Sequence, residues 1–118
     1  MIKNLSNFEK EKISGGINTY KQVLIGPDIA PNFAMRKFII EPGGFMPLHS
    51  NTVEHEQLVL NGKAEVIIGE NKYEVKKDDV VYIPAGINHS YKTIGNESFE
   101  FICIVPNKED KIIIAENV

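Results

Sequence analysis

The 118-residue sequence has no tryptophan, a single cysteine and no cluster of lysine or arginine. A lone Cys103 cannot close an internal disulfide, which sets aside the small disulfide-stapled scaffolds. Thirteen basic residues against sixteen acidic ones leave a net charge of −3, the wrong sign for a phosphate-backbone binder, so no nucleic-acid partner is expected. The longest apolar stretches, residues 101–105 and 112–115, fall far short of the roughly 20 residues that cross a bilayer as a helix. Residues 1–12 lack the apolar run of a signal peptide, and the tripeptides beginning at Asn4, Asn88 and Asn96 are chance glycosylation matches. A cytoplasmic protein without a membrane partner is the expectation. There is no Cys-x-x-Cys pair and no glycine-rich phosphate loop. The segment from His55 to Val59 lacks the second histidine of the helical zinc-protease signature.

What the chain does have is an ordinary globular composition, 42 % hydrophobic and 25 % charged, enough for one core and a single domain over residues 1–118. Residues 1–12 are polar and free of Gly and Pro, which fits a short helix or a loose N-terminal arm. From Tyr20 onward, short β-prone runs alternate with turn clusters: 20–25, 33–41, 57–60, 64–68, 72–75, 80–83, 89–93 and 99–105. Nothing offers the crossover helices a parallel sheet requires, so the fold class is all-β, a sandwich or barrel. Pro42-Gly43-Gly44 reads as a turn, Asn61-Gly62 as a tight two-residue hairpin and Gly69-Glu70-Asn71 as a slightly longer one.

The three histidines, His49, His55 and His89, each lie beside a turn on a segment with strand character. Strand alternation puts His49 and Asn51 on one face, about 6.6 Å apart. The next strand is expected to bring His55 back antiparallel to His49, with Gln57 on the same face, and His89 to arrive from a later strand. Three inward imidazoles suit a transition metal; isolated histidines satisfied by carbonyls or water are the alternative. If His89 faces inward, so do Tyr91 and Thr93. Tyr91 can bind or protonate a substrate oxygen, or simply pack. Arg36 shares an apolar face with Ala34, Phe38 and Ile40, and holds a substrate carboxylate, pairs with an internal acid, or lies on a face that turns outward. Cys103 alternates with Phe99, Phe101 and Val105, which suits a small core residue. Glu54 and Glu56 flank His55 and point away from it unless a bulge turns one of them; acid/base work then falls to Glu54, Tyr91 or metal-bound water.

The spacing resembles both signature motifs of the cupin superfamily. The first is met at Gly43, His49-Ser50-Asn51, His55 and Gly62, the second at Asp78, Pro84-Ala85-Gly86, His89 and Thr93, so the motif-bearing core spans residues 43–93. Asn51 stands where the second histidine usually is, and His55 where the glutamate usually is. Glu54-His55-Glu56, with Val23-Leu24-Ile25-Gly26, Ala30-Pro31-Asn32-Phe33 and Glu41-Pro42-Gly43-Gly44, is similar to very small bacterial cupins described as manganese-binding, some of them named as oxalate decarboxylases. The resemblance implies a jelly-roll barrel with His49, Asn51, His55 and His89 around one divalent transition metal (manganese, iron, zinc or nickel), Asn51 being a weak neutral ligand. It also implies a small-molecule ligand; by strand alternation and side-chain chemistry, Arg36 and Gln57 are the substrate-binding candidates and Tyr91 and Glu54 the catalytic ones. The reaction would be lyase or decarboxylase, isomerase or dioxygenase chemistry; a non-catalytic binding or sensing module is the alternative. Edge strands at residues 20–25 and 112–114 are apolar enough to expect a homodimer.

Overall fold

The structure is a computed structural model that describes residues 1–115. Apart from one 3-10 turn at Leu5–Asn7, its regular elements are ten strands: β1 Glu11–Lys12, β2 Ile17–Ile25, β3 Phe33–Asn51, β4 His55–Asn61, β5 Lys63–Ile68, β6 Asn71–Lys76, β7 Val80–Ile83, β8 His89–Ile94, β9 Phe99–Pro106 and β10 Ile112–Ile114. All pairings are antiparallel, and the sheet runs β6-β5-β8-β3-β9-β4-β7, with β2 and β10 also on β3 and β1 on β2. The architecture is the expected all-β jelly roll.

The 19-residue β3 joins the two faces of the barrel. Its first half pairs with β2 and β9, and its second half pairs with β8 and β10. Pro42-Gly43-Gly44, expected to reverse the chain, instead bends a strand that continues through it. A side chain on Gly44 would meet the carbonyl oxygens of Ile17 and Glu41, so the close approach of β2 to the bend requires glycine there.

Two further turn expectations are corrected. Asn61-Gly62 is not a hairpin, because β4 pairs with β7 and β9 while β5 pairs with β6 and β8. It is a corner carrying the chain from one face to the other: Gly62 has φ +76° and lies against the Ser98 carbonyl, which also accepts a hydrogen bond from Asn61 Nδ2 at 2.9 Å. Gly69-Glu70 forms the tighter hairpin, with Ile68 directly opposite Asn71. The N-terminal arm, expected as a short helix or a loose segment, holds the 3-10 turn and β1, and Gln22 Nε2 ties it down by donating to the Phe8 carbonyl at 3.0 Å.

Alternation does the rest. Along β9, Phe99, Phe101, Cys103 and Val105 face inward, and along β4 His55, Gln57 and Val59 do so. The core gathers Ile40, Val59, Ala64, Val66, Ile83, Phe99 and Phe101, with Phe101 stacked on Phe38 and on Tyr91 at ring-centroid distances of 5.2 and 5.1 Å. Ile112, Ile113 and Ile114 pair with β3 on one side and remain about half exposed. The edge expected at residues 20–25 is partly covered, since β2 is paired with β3 and, at Tyr20 and Lys21, with β1. No helix among the described residues is long and apolar enough to cross a membrane.

Candidate functional site

One end of the barrel interior gathers polar side chains among apolar ones. A cavity of about 80 Å³ opens there, lined by His49, Asn51, His55, Gln57, His89, Tyr91 and Arg36 among others. The strand pairing that builds it differs from the expectation. His49 on β3 lies opposite His89 on β8, whereas His55 comes from β4, on the other face of the barrel. The corner at Thr52–Glu54 therefore does not fold β4 back onto β3; it sends the chain across the mouth of the barrel, so the imidazoles meet through the interior.

The His49 and His89 rings are 4.2 Å apart between centroids, and His55 and His89 are 6.1 Å apart. His49 Nδ1 donates to the Pro47 carbonyl at 2.7 Å, and His89 Nδ1 donates to the Ile87 carbonyl at 3.0 Å. A carbonyl can only accept, so each bond puts the ring proton on Nδ1 and leaves the Nε2 lone pair free. His55 bonds through Nδ1 to Cys103 Sγ at 3.2 Å, and its buried Nε2 has no hydrogen-bond partner. Burial is the main cause that lowers all three pKa values, to about 4 for His55 and for His89. The Arg36 charge lowers His55 further, and His49 lowers His89 further. At neutral pH all three rings are uncharged, the form that ligates metals.

Asn51 is buried beside them, its Oδ1 unpartnered and its Nδ2 donating to Asp110 Oδ2 at 3.4 Å. Among the described residues, no group of three His, Cys, Asp or Glu side chains is arranged to hold an ion as it stands. The donor chemistry nonetheless fits a divalent transition metal. Two rings are oriented by backbone carbonyls with Nε2 free, and two further donor atoms, His55 Nε2 and Asn51 Oδ1, are buried and unsatisfied.

Arg36, Cys103 and Gln57 form a single row across β3, β9 and β4. The Arg36 guanidinium lies over the Phe38 ring at 5.0 Å and reaches Cys103 Sγ at 3.5 Å, while its buried Nε has no partner. No acidic side chain among the described residues forms an ion pair with it. Gln57 Nε2 donates to the Tyr91 hydroxyl at 2.8 Å. Complete burial holds the Tyr91 phenol well above the usual tyrosine value, which makes it a poor proton donor.

Glu54, a catalytic candidate by sequence, is not part of the cavity. It is exposed on an outer groove beside Tyr82, because it precedes an inward His55 on an extended chain and no bulge turns it back. A hydrogen bond with Glu54 is the main cause that raises the Tyr82 pKa. Glu56 is likewise exposed.

Sequence reasoning missed three features. The Cys103–His55 contact arises between β9 and β4, 48 residues apart, although Cys103 sits on the inward alternation that could have flagged it. Ile13, just after β1, and Ile112 from β10 complete the cavity wall. Asp110 reaches the mouth, with Oδ2 at 3.6 Å from His55 Nε2; the only sequence signal was an acid two residues before a strand-like isoleucine run.

The comparisons with known proteins agree with this fold. The chain is 29 % identical over 77 residues to 1-methylthio-D-xylulose 5-phosphate methylsulfurylase of Rhodospirillum rubrum, which covers 65 % of this chain and 49 % of that protein. This chain thus spans about half the length of that curated relative. The solved structure of the polyketide cyclase RemF from Streptomyces resistomycificus superimposes with a TM-score of 0.88 at 25 % identity, over 100 % of this chain and 88 % of that one. A predicted oxalate decarboxylase from Thermotoga maritima shares the fold, with a TM-score of 0.79 at 21 % identity over 98 % and 100 % of the two chains. The family model for the cupin domain matches residues 36–105, well over half of the sequence, and the chain belongs to that family.

Proposed function

We propose that this cupin is a metal-dependent enzyme that holds one divalent transition metal and acts on a small, oxygen-rich carboxylate or sugar-acid-like substrate. The observation that carries the reading is the set of three neutral imidazoles at one end of the barrel, two of them fixed by Nδ1 bonds to backbone carbonyls so that Nε2 faces the cavity. His49, His55 and His89 would hold the ion, with Asn51 Oδ1 beside them. The metal, manganese, iron, zinc or nickel, would supply a Lewis acid to polarise substrate oxygens.

The chain's own residues do the remaining work. Arg36, without an internal acid, offers its guanidinium to a substrate carboxylate. Gln57 and Tyr91 hold each other and fix the wall against which the substrate sits. A cavity of about 80 Å³ has room for several waters or a ligand of few atoms, which favours a small acid over a large one. Lyase or decarboxylase, isomerase and dioxygenase chemistry all suit such a site, and the fold does not choose among them.

A non-catalytic module that holds or senses a small ligand is the second reading. It is favoured by one observation: with Glu54 outside and the Tyr91 phenol held neutral, neither sequence-predicted catalytic side chain is poised for proton transfer. We further place the protein in the cytoplasm and assemble it as a homodimer through the exposed Ile112–Ile114 strand, with neither nucleic acid nor membrane as partner; light scattering that finds only monomers at micromolar concentration would exclude the dimer.

Elemental analysis of tag-free protein tests the metal reading. The protein is assayed as isolated and after exposure to manganese, iron, zinc and nickel, beside a His49→Ala/His89→Ala variant. About one ion per chain, absent from the variant, is expected. Equal and low metal in both would overturn the reading and favour the binding module.

A further inference from the structure

The three imidazoles are neutral ligands, and the position where the motif usually has glutamate is occupied by His55. An ion held by them alone would keep its full charge inside a partly buried cavity that already contains Arg36 and Lys21 in its wall. Such a charge needs a compensating anion. Among the described residues, only one carboxylate lies within 4 Å of a cavity histidine nitrogen. Asp110 lies 3.6 Å from the unpartnered His55 Nε2 through Oδ2, which also accepts from Asn51 Nδ2 at 3.4 Å.

The segment that carries Asp110 is built to hold it there. Asp110 Oδ1 accepts from the Thr52 backbone N–H at 3.2 Å. Thr52 Oγ1 donates to the Glu109 carbonyl at 3.2 Å and accepts from the Lys111 N–H at 2.9 Å. Immediately beyond, Ile112, Ile113 and Ile114 lie opposite Asn51, Ser50 and His49, and Ala115 N–H donates to the Leu48 carbonyl at 3.0 Å. The strap is therefore fastened along the stretch of β3 that presents His49 and Asn51. One Asp110 oxygen is engaged in fastening, and the other accepts from Asn51 Nδ2 and lies beside the orphaned His55 Nε2. Two atoms that bind one ion at about 2.1 Å are about 3.0 Å apart at a right angle and about 3.4 Å apart at a tetrahedral angle. The observed 3.6 Å is a few tenths of an ångström from that spacing.

We infer that Asp110, delivered by the C-terminal strap, is the acidic ligand of this site, replacing the motif glutamate whose position His55 has taken. The inference rests on the metal reading proposed above. It makes the site a three-histidine, one-carboxylate centre whose carboxylate comes from a different segment than the motif supplies, and it makes the fastening of the strap to β3 part of the metal site.

The test is titration of Co²⁺ into wild-type protein, Asp110→Asn and Asp110→Glu, followed by visible absorption and calorimetry. In parallel, the carboxyl carbon resonance of Asp110 in labelled wild-type protein is followed as Zn²⁺ is added, which needs no variant to fold. The expected result is one Co²⁺ per wild-type chain, binding weakened about tenfold or more with altered absorption bands in Asp110→Asn, recovery in Asp110→Glu and a shifted Asp110 carboxyl resonance with Zn²⁺. If wild type binds but Asp110→Asn matches it in affinity and spectrum, or binds more tightly, Asp110 only braces or blocks the site and this inference alone falls. If wild type binds neither ion, the metal reading falls and takes the inference with it.

Discussion

Phe99 and Cys103 face inward from the same strand, four residues apart, yet they belong to different worlds. Phe99 lies opposite Ile40 and packs against Phe101 and Tyr91, in a region where Val59, Ala64 and Val66 leave almost no space. Cys103 lies between Arg36 and Gln57 and touches His55, at the end of the barrel where a cavity opens and buried polar atoms lack partners. The same two-residue alternation builds both ends. One therefore reports on folding and the other on chemistry: the apolar end should respond to lost volume, and the polar end to protons and ions.

The largest expected effect is at the apolar end. Phe99→Ala should destabilise the protein by about 3–5 kcal/mol in denaturant unfolding, because a fully buried ring leaves a cavity that rigid strands cannot close. His89→Ala, equally buried but at the polar end, should lower stability by about 2 kcal/mol or less while abolishing metal uptake. Equal stability losses in the two variants would break the comparison.

Acid should act on the polar end. In metal-free protein, His55 and His89 hold their pKa values near 4 against 6.5 in the unfolded chain. As pH falls below 6.5, the unfolded chain binds protons that the folded chain still refuses. Stability is full above that value, drops through the window and levels off below about 4. Each histidine contributes at most about 3 kcal/mol to this loss, and unfolding midpoints measured from pH 7 to 4 should show it shrinking in His55→Ala and His89→Ala but not in Phe99→Ala.

Gly62→Ala should cost about 2 kcal/mol or more, since the corner needs positive φ and a methyl group would run into the Ser98 carbonyl beside Phe99. Thermal unfolding checks it, and unchanged metal stoichiometry per folded chain is expected. Smallest is the outward Lys37–Glu100 pair at 2.8 Å, whose removal in a double-mutant cycle should show coupling of about 1 kcal/mol or less, reduced by salt.

These contrasts also separate what the sequence made legible from what it hid. Most strand positions were readable because turn clusters punctuate the chain locally, and residues 80–83 match β7 throughout, but β1 was not expected and β3 runs on through the Pro42-Gly43-Gly44 turn signal. The motif spacing was readable because its positions encode backbone geometry: Gly43 and Gly62 both have positive φ, and so does Asp78, which stands where the motif has glycine, at +76°. Partnership was not readable. Asn61-Gly62 has hairpin chemistry but sits at a corner, because the Ser98 segment, far along the chain, packs against it. His55 meets the other histidines across the barrel rather than along a shared edge, and Asp110 reaches them through a strap whose pairing with β3 is set 60 residues away. Such long-range pairings carry no local signal, whereas alternation from His55 and His89 places Gln57 and Tyr91 inward; for Arg36 alternation gave a shared face but not which way it turns, and the pairing of β3 with β9 decides it.

The most direct test of the central claim, that the polar end is a metal centre, is anomalous diffraction at the metal's absorption edge from crystals grown with manganese or iron. The account predicts one peak per chain in the cavity, within bonding distance of Nε2 of His49, His55 and His89. A cavity without a peak, in crystals whose mother liquor holds millimolar metal, would contradict it.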